Sequence, residues 1–442
     1  MGRDAYDVVV SGAGPVGCVT AIAHARRGAS VALLEANPTA ARRFAGEWIH
    51  PVGVAVLDQL RAGRLENRSP RCGYGFVLLP PGQTPIELAY SDGVALACEH
   101  HGIVAGLREA AQHRAGVTYL DRAHFVGIEG RSVVFEAGEQ RQRRRIRADR
   151  IIGADGRSSA VRRALGLPED SSVLSYMASI ELDGVALPHE GFGHVLLGGP
   201  GPALLYRVGR DKIRGCLDVP ATLGNAARRV PFLREAFGKV FPRELRQAFH
   251  FSLDTGKVCW AANRFRPRTH FGRDRTFLVG DALGHVHPLS AAGMTMGFLD
   301  AMALAEVDDV AQYARRRASV VPELMSNVLL HALYADEPDA RAVRRSLLEQ
   351  LRGDQAGARR MLDVLSGRDP NPMSFVSTFL RASWGAAFDT VLFGGQGLGR
   401  AGMLAAQARW LKWPLAAMVP QPLIRAYRAN SFSDRSPLPG LA

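Results

Sequence analysis

The stretch that most limits what this chain can fold into is its beginning. Tyr6–Val10 is a mostly apolar run, Gly12-Ala-Gly14-Pro-Val-Gly17 follows almost at once, and an apolar, Ala-rich segment continues to about Arg27, where Gly28 closes it. Ser30–Leu34 is a second apolar run, ending at Glu35. Runs this short, with a helical segment between them, fit buried parallel strands. The pattern is therefore strand, glycine-rich turn, helix, strand. The first glycine makes the turn, the second admits a pyrophosphate, and the third lets the helix pack on the strand. Glu35 is placed to accept hydrogen bonds from adenosine ribose hydroxyls. The fingerprint predicts a Rossmann-like dinucleotide domain. By itself it does not separate FAD from NAD, and the acid disfavours a 2′-phosphate, so NADP is not expected at this site.

A second informative stretch is Phe277–Ala305. It reads as a short apolar strand, then Asp281 at the strand's carboxyl end, where open α/β sheets bind ligands. A loop carrying Pro288 and Gly293 follows, and from about Met294 the pattern is helical. Pro288 stiffens the loop and Gly293 permits close backbone approach. The helix start turns free N–H groups and a positive dipole end toward the loop. That suits an electron-rich, partly anionic group such as the pyrimidine end of a reduced flavin. The alternative is a tight strand-to-helix turn that binds nothing.

Between these stretches lie a loop containing Arg42 and Arg43, a helix from Val54 to about Arg61, and an alternating run Ile86–Tyr90. Glu99–Ala111 opens into a helix bearing Arg108, by default a surface charge. Residues 117–148 read as a β-meander containing Arg141-Gln-Arg-Arg-Arg-Ile-Arg147, either a phosphate or lipid patch or, preferred, the wet face of a hairpin. Arg150–Gly153 leads into Asp155-Gly156-Arg157. This turn offers donors to a pyrophosphate or is simply a helix start capped by Ser158 or Ser159. Tyr176–Leu182, His194–Leu197, Leu204–Val208 and Lys212–Val219 alternate and are separated by Gly/Pro turns, so they predict an antiparallel sheet. Helical sequence spans Val230 to Phe249, and nearly everything beyond Glu306 reads helical.

The remaining constraints exclude more than they assign. The 442 residues suggest about three domains. A formal charge of +13, carried more by Arg than Lys, favours anionic partners: pyridine-nucleotide phosphates, an acidic reductase or a lipid surface. No nucleic-acid motif is visible, so no nucleic-acid partner is expected. Five cysteines (Cys18, Cys72, Cys98, Cys216, Cys259) without a C-x-x-C fit a reducing cytoplasmic setting without disulfides or zinc. His285-Val-His287 lacks the further ligands a metal needs, and loop structure is preferred. Asp4 and Asp7 argue against a signal peptide, and no uncharged run reaches the ~18 residues of a span. In Met403–Ile424, Trp410, Lys412 and Trp413 suit a membrane interface or, preferred, a helix packed on the body; Pro414, Pro420 and Pro422 interrupt the run.

With these residues in view, the chain resembles FAD-dependent monooxygenases, and within them the squalene monooxygenase (squalene epoxidase) branch. The resemblance rests on the fingerprint followed by Arg43-x-x-Gly46-Glu47, on His100-His101-Gly102 before Gly106-Leu-Arg108, and on Gly280-Asp-Ala running into His287-Pro-Leu-Ser-Ala-Ala-Gly-Met-Thr295. Asn327–Tyr334 and Leu365–Pro372 add C-terminal similarity. Departures are Ala291-Ala292 in place of two glycines and Ala36 where a basic residue usually stands.

The resemblance implies that Gly12, Gly14, Gly17, Glu35, Arg43, Arg108, Asp155, Gly156, Asp281, Gly293 and Met294 hold FAD. Tyr90 matches an active-site tyrosine, and Pro288 belongs to the loop that positions the flavin ring. It further implies an α/β fold. A Rossmann-like FAD-binding domain, a parallel sheet with a β-meander, takes residues 1–75, 99–170 and 272–330. An inserted mixed or antiparallel sheet takes 76–98 and 171–271 for the substrate, and a C-terminal helical region takes 331–442. The implied activity is oxygen insertion from O2 through a flavin C4a-hydroperoxide, with NAD(P)H as electron source, directly or through a flavin or cytochrome reductase. The expected substrate is a hydrophobic isoprenoid or polyene. An aromatic or quinolone-type ring, a non-oxygenating reductase and an inactive flavin scaffold are the competing readings. Peripheral contact with the inner face of the membrane is compatible with a lipid substrate.

Overall fold

In the computed structural model, residues 4–37, 39, 45–62, 71–169, 171–256, 258–317, 319, 321–334, 337–393 and 399–418 are described. The strands Ala5–Ser11, Val31–Leu34 and Val117–Leu120 run parallel. Gln142–Gly153 joins the other side of Ala5–Ser11, and Thr276–Leu278 lies beyond it, also parallel. All five carboxyl ends therefore point to one edge. Gly12, Glu35, Asp155 and Asp281 follow directly after four of these strands, which is where an open α/β sheet binds its ligand.

The sheet is covered on both faces, which is why its strands are apolar throughout. On one face Val8, Val10, Leu33 and Ile152 pack under the helices Pro15–Arg26, His100–Gln112 and Gly293–Ala305 through Ile22, Leu107 and Phe298. On the other face Tyr6, Val9, Ala32 and Leu34 meet Ala123, Val133, Phe135 and Ile146 of a meander. Each such buried side chain stabilises the fold by roughly 1.5–3 kcal/mol.

Two elements differ from the sequence expectation. Val117–Leu120 belongs to the parallel sheet and not to the meander. Arg150–Gly153 is the end of one twelve-residue strand, Gln142–Gly153. With no Gly or Pro to break it, this strand pairs antiparallel with Ser132–Ala137 and then continues parallel to Ala5–Ser11. Its arginines are the wet face of the hairpin. Arg143 and Arg145 reach Glu129, and Arg141 lies 3.8 Å from Glu136.

The second sheet has seven strands in the order Cys259–Phe265, Ser172–Asp183, Lys212–Pro220, Ala203–Arg207, Phe192–Leu196, Gly75–Leu79, Ile86–Ala89. Every pair is antiparallel except Phe192–Leu196 with Gly75–Leu79. One face packs through Ile180, Leu205 and Leu217 on Phe237 and Phe249 of the helices Val230–Gly238 and Arg243–Thr255. Pro242, at the N-cap of the second helix, separates the two. The opposite face presents Phe76, Met177, Leu204, Tyr206 and Cys216 to the C-terminal helices. Among those, Trp410 is buried and donates Nε1–H to Asp339 at 2.9 Å, and Trp413 is also buried. Both tryptophans are therefore packed on the body, while Leu411, Leu415 and Met418 of the same segment are exposed, and Pro420, Pro422 and Ile424 lie outside the described residues. No helix among the described residues is long and apolar enough to cross a membrane.

Candidate active site

The three fingerprint glycines meet three different surroundings. Gly12 has φ +100°, and a Cβ there would lie 2.7 Å from the Ala154 carbonyl oxygen. A Cβ on Gly17 would lie 1.8 Å from the Gly12 carbonyl oxygen, so only hydrogen fits where helix meets turn. Gly14 has nothing within 4 Å of its Cβ position, and as N-cap of Pro15–Arg26 it leaves the helix start without a side-chain cap. The first and third glycines are thus fixed by the protein's own packing. The second faces open space at a helix N-terminus, as an anion cradle requires.

Glu35 is tied to this turn. Its Oε2 accepts the Ala13 N–H at 2.9 Å and lies 2.7 Å from Arg108 Nη2. Arg108 Nε donates to the Ala13 carbonyl at 2.8 Å, and its side chain is only 12% exposed. The default view of Arg108 as a surface charge is therefore corrected: helix His100–Gln112 delivers it beneath the sheet edge. Asp155 accepts the Val161 N–H at 3.1 Å, and burial pushes its carboxyl above the usual range despite that bond. Its Oδ1 is buried without a partner. Ser159, not Ser158, caps the following short helix through Arg162 N–H. Gly156 has φ +78° and faces open space.

Asp281 sits in the turn Gly280–Ala282, with Arg157 Nε at 3.2 Å. Asp300 anchors that turn from below. Fully buried in helix Gly293–Ala305, it accepts the Gly280 N–H through Oδ2 at 3.1 Å and bonds Arg268 (2.5 Å) and Arg317 (2.8 Å) through Oδ1. Burial alone would raise its carboxyl, but the two guanidinium groups outweigh burial and hold it below the usual range. Val16 of the fingerprint wedges against Gly280 and Gly297, so the two ends of the cleft are in direct contact.

Pro288 begins the turn Pro288–Ser290, which Ala291 closes at φ +51°. Gly293 then opens an uncapped helix with nothing near its Cβ position. Met294 reaches back to Gly46, whose Cβ would meet the Met294 methyl at 3.4 Å. The loop around Gly46 is thereby brought beside the turn that follows Pro288. Arg43 lies outside the described residues.

Tyr90 joins this region through partners the sequence reading missed. Trp48 Nε1–H donates to the Tyr90 oxygen at 3.0 Å. His50 Nε2 lies 2.9 Å from the Ser290 carbonyl, which can only accept, so Nε2 carries the proton and Nδ1 accepts the Tyr90 O–H at 2.6 Å. Burial pushes the His50 imidazole down to about 4 and raises the Tyr90 phenol. Glu47, quoted in the sequence only as part of a motif, is held by Arg214, and Asp218, which the sequence did not single out, lies close to His287. His285 and His287 do not converge: His285 forms a β-bridge with Arg266, while His287 points into the second sheet. Asp218 left no trace in sequence, whereas Glu47 stood in the Arg43-x-x-Gly46-Glu47 motif and Asp300 as a lone acid in an otherwise apolar helix.

The arrangement defines a flavoprotein of the monooxygenase type. An open glycine cradle, a buried acid just after the second strand, a buried carboxylate oxygen without a hydrogen bond and an uncapped helix start lie along one sheet edge, and this set fits FAD. Known proteins point the same way. The squalene epoxidase family model matches residues 147–393. Squalene epoxidase ERG1 of Gibberella zeae is 31% identical, over 68% of this chain and 67% of that relative. Squalene epoxidase erg1 of Aspergillus fumigatus is 29% identical over 77% of each. The chain also shares the fold of PqsL, a probable FAD-dependent monooxygenase from Pseudomonas aeruginosa, with TM-score 0.62 and 19% identity over 82% of this chain and 99% of that one. The chain belongs to the squalene epoxidase family and is an FAD-dependent monooxygenase.

Proposed function

We propose that the protein inserts one oxygen atom from O2 into a carbon–carbon double bond of an isoprenoid or polyene. The observation that carries this reading is where the flavin-binding turn leads. Pro288–Ser290 lies against helix Val321–Tyr334. That helix contributes Val321, Leu324, Met325 and Val328 to one apolar cluster with Phe76, Met177, Leu204 and Cys216 of the second sheet. A hydrocarbon is recognised by such a lining and by little else.

Bound FAD, once reduced, supplies the activation of O2, which side chains do poorly. The chain's own part is to hold, orient and keep dry. Gly12, Gly14, Gly17, Glu35, Arg108, Asp155, Gly156 and Asp281 would hold the cofactor, with Arg43 as a further contact. Pro288, Gly293 and Met294 would set the plane of its ring beside the apolar face. Apolar packing around the turn would exclude water, so that oxygen goes to the alkene. Tyr90 would line this space with its proton committed to His50, and attack on an alkene asks for no protein acid or base. NAD(P)H supplies electrons, and the +13 charge suits an acidic reductase as intermediary. The division into a flavin-binding part (1–75, 99–170, 272–330), a substrate part (76–98, 171–271) and a helical part (331–442) follows the same reading.

The helix Pro372–Phe393 suggests peripheral contact with a membrane. Met373, Leu380, Trp384, Phe388 and Val391 are all exposed and recur every three to seven residues along one face. Loss of vesicle co-sedimentation in a Trp384→Ser, Phe388→Ser variant is expected; undiminished binding would remove this contact.

The function itself is tested with flavin-loaded protein, squalene, NAD(P)H, a reductase and 18O2. One labelled oxygen in an epoxide product is expected. Flavin reoxidation without labelled product, or a saturated product, would sink the reading.

A further inference from the structure

Two loops border the place for the flavin ring: residues 46–50, with Glu47, Trp48 and His50, and residues 287–295. They are distant in sequence, and a single strand of the second sheet reaches both. In Lys212–Pro220, Ile213, Leu217 and Val219 face the helices Val230–Gly238 and Arg243–Thr255. Arg214, Cys216 and Asp218 therefore face the other way.

Arg214 donates two parallel hydrogen bonds to Glu47, Nε to Oε2 at 2.8 Å and Nη2 to Oε1 at 2.9 Å. The Tyr206 hydroxyl donates a third at 3.1 Å. Four residues along, Asp218 Oδ2 lies 3.0 Å from His287 Nε2, and Asn263 Nδ2 donates to Oδ1 at 3.0 Å. His287 Nδ1 accepts the Leu289 N–H at 3.1 Å, which puts the ring proton on Nε2, where the Ser175 hydroxyl lies at 2.8 Å; Asp218 Oδ2 stands beside this ring nitrogen without a hydrogen bond of its own. Glu47, Asp218 and His287 are almost wholly buried. An apolar pair of the same volume in place of Arg214 and Glu47 would often be no less stable; what the buried ion pair adds at Glu47, and the carboxylate of Asp218 held by Asn263 adds beside neutral His287, is a defined geometry.

We propose that Lys212–Pro220 is the positioning element of the reaction, with Arg214 and Asp218 as its two positioning residues. Beside the direct bonds from His50 to Ser290 and Thr295, it fixes the spacing of Glu47 and His287, about 13 Å along the strand between anchors. It also carries any shift of the substrate sheet to the flavin. Cys216 lies between the anchors in the apolar cluster with Met177 and Leu204, so a substrate seated there presses on the strand at its midpoint. The proposal rests on the monooxygenase reading.

The test uses flavin-loaded Arg214→Lys, which keeps the charge and loses the fork, and Asp218→Asn, which keeps the shape and loses the charge. The readouts are FAD affinity, the visible spectrum of bound flavin with and without squalene, and the share of reducing equivalents lost as hydrogen peroxide. Affinity within about threefold of the parent, a shifted flavin spectrum that no longer responds to squalene, and a rise of about fivefold or more in peroxide are expected. The double variant should be no worse than the worse single one, because both act through one strand. A lower Tm with unchanged spectrum and peroxide share, or multiplying effects in the double variant, would overturn the proposal. If either variant fails to fold, Tyr206→Phe, which removes one hydrogen bond to Glu47, takes its place: a shifted spectrum and more peroxide support the proposal, and parent-like values overturn it. A parent protein that takes up no flavin overturns the monooxygenase reading as well, whereas normal coupling in the variants overturns this proposal alone.

Discussion

At the end of the cleft proposed to take adenosine, Gly12, Gly14, Gly17 and Glu35 lie within one strand–helix–strand unit, and only Arg108 comes from elsewhere. At the ring end, Glu47, His50, Tyr90, Arg214, Asp218, His287 and Asp300 arrive from both sheets and from the loops between them. The first end is held by backbone sterics at short range. The second is held by buried charges and hydrogen bonds whose partners stand up to 245 residues apart, as His50 and Thr295 do. A site of the first kind fails when an atom is added. A site of the second kind fails when a partner is taken away.

The largest effect is expected from adding atoms at the adenosine end. Gly17→Ala puts a methyl 1.8 Å from the Gly12 carbonyl oxygen. The backbone must shift, at a cost of about 3 kcal/mol or more, and flavin uptake should be lost. Gly14→Ala meets no protein atom within 4 Å at an ordinary φ of −71°. It should leave the flavin-free protein within about 0.5 kcal/mol of the parent and still weaken FAD binding about tenfold. Urea melts and flavin fluorescence titrations separate the two. Normal FAD affinity in Gly14→Ala would mean that the open cradle is not where the pyrophosphate lies.

Removing a partner at the ring end comes next. Asp300→Leu leaves Arg268, only 3% exposed, and Arg317 without their carboxylate and frees the Gly280 N–H. Breaking a buried charge cluster from one side costs about 3–5 kcal/mol. Denaturant unfolding should show a loss of that size, with the turn at Asp281 disturbed more than the fingerprint. A loss below about 1 kcal/mol would show that the cluster tolerates its own removal and that the ring end does not depend on its partners in this way.

The same contrast explains what could be read from the sequence. Parallel strands, the fingerprint, Glu35 and the turn from Asp281 to Met294 announce themselves because their constraints are local: periodicity, glycine sterics and a Pro-stiffened loop. Arg108 reads as a surface charge because nothing within its helix shows that Glu35 waits beneath it. Gln142–Gly153 reads as two strands because its Arg-rich first part lies in the antiparallel hairpin and its apolar end in the buried parallel sheet, so the sequence character changes where the partner does. His287 stands out in sequence as half of a metal pair. Its actual partners, Ser175 and Asp218, stand on strands whose register no local pattern fixes. Trp410 and Trp413 carry the interfacial signature, yet they are buried, while Trp384 and Phe388 on the preceding long helix are exposed. Composition records that an aromatic is present, while only packing decides which way it faces.

The smallest expected effect lies within the ring end and concerns His50. Burial holds its imidazole down at about 4, against about 6.5 in the unfolded chain. Its folded value is the lower one, so between these values the unfolded chain binds the proton more readily. Stability from this site is therefore complete above about pH 6.5 and falls as the pH drops toward 4. At pH 5 the loss is about 2 kcal/mol relative to pH 7.5. His24, His194 and His285 are also buried and depressed, so they add to the same acid sensitivity, and only a difference between variants isolates His50. His50→Gln keeps an amide donor for the Ser290 carbonyl and an oxygen that can accept the Tyr90 O–H, but it cannot titrate. Urea melts at pH 7.5 and pH 5 should show the parent losing about 2 kcal/mol more than the variant over this interval. Equal losses would mean that His50 is not held neutral between Tyr90 and Ser290. Tyr90 would then be free to offer its proton to a ligand, and the ring end would have to be redrawn around an acid and not around a fixed pair.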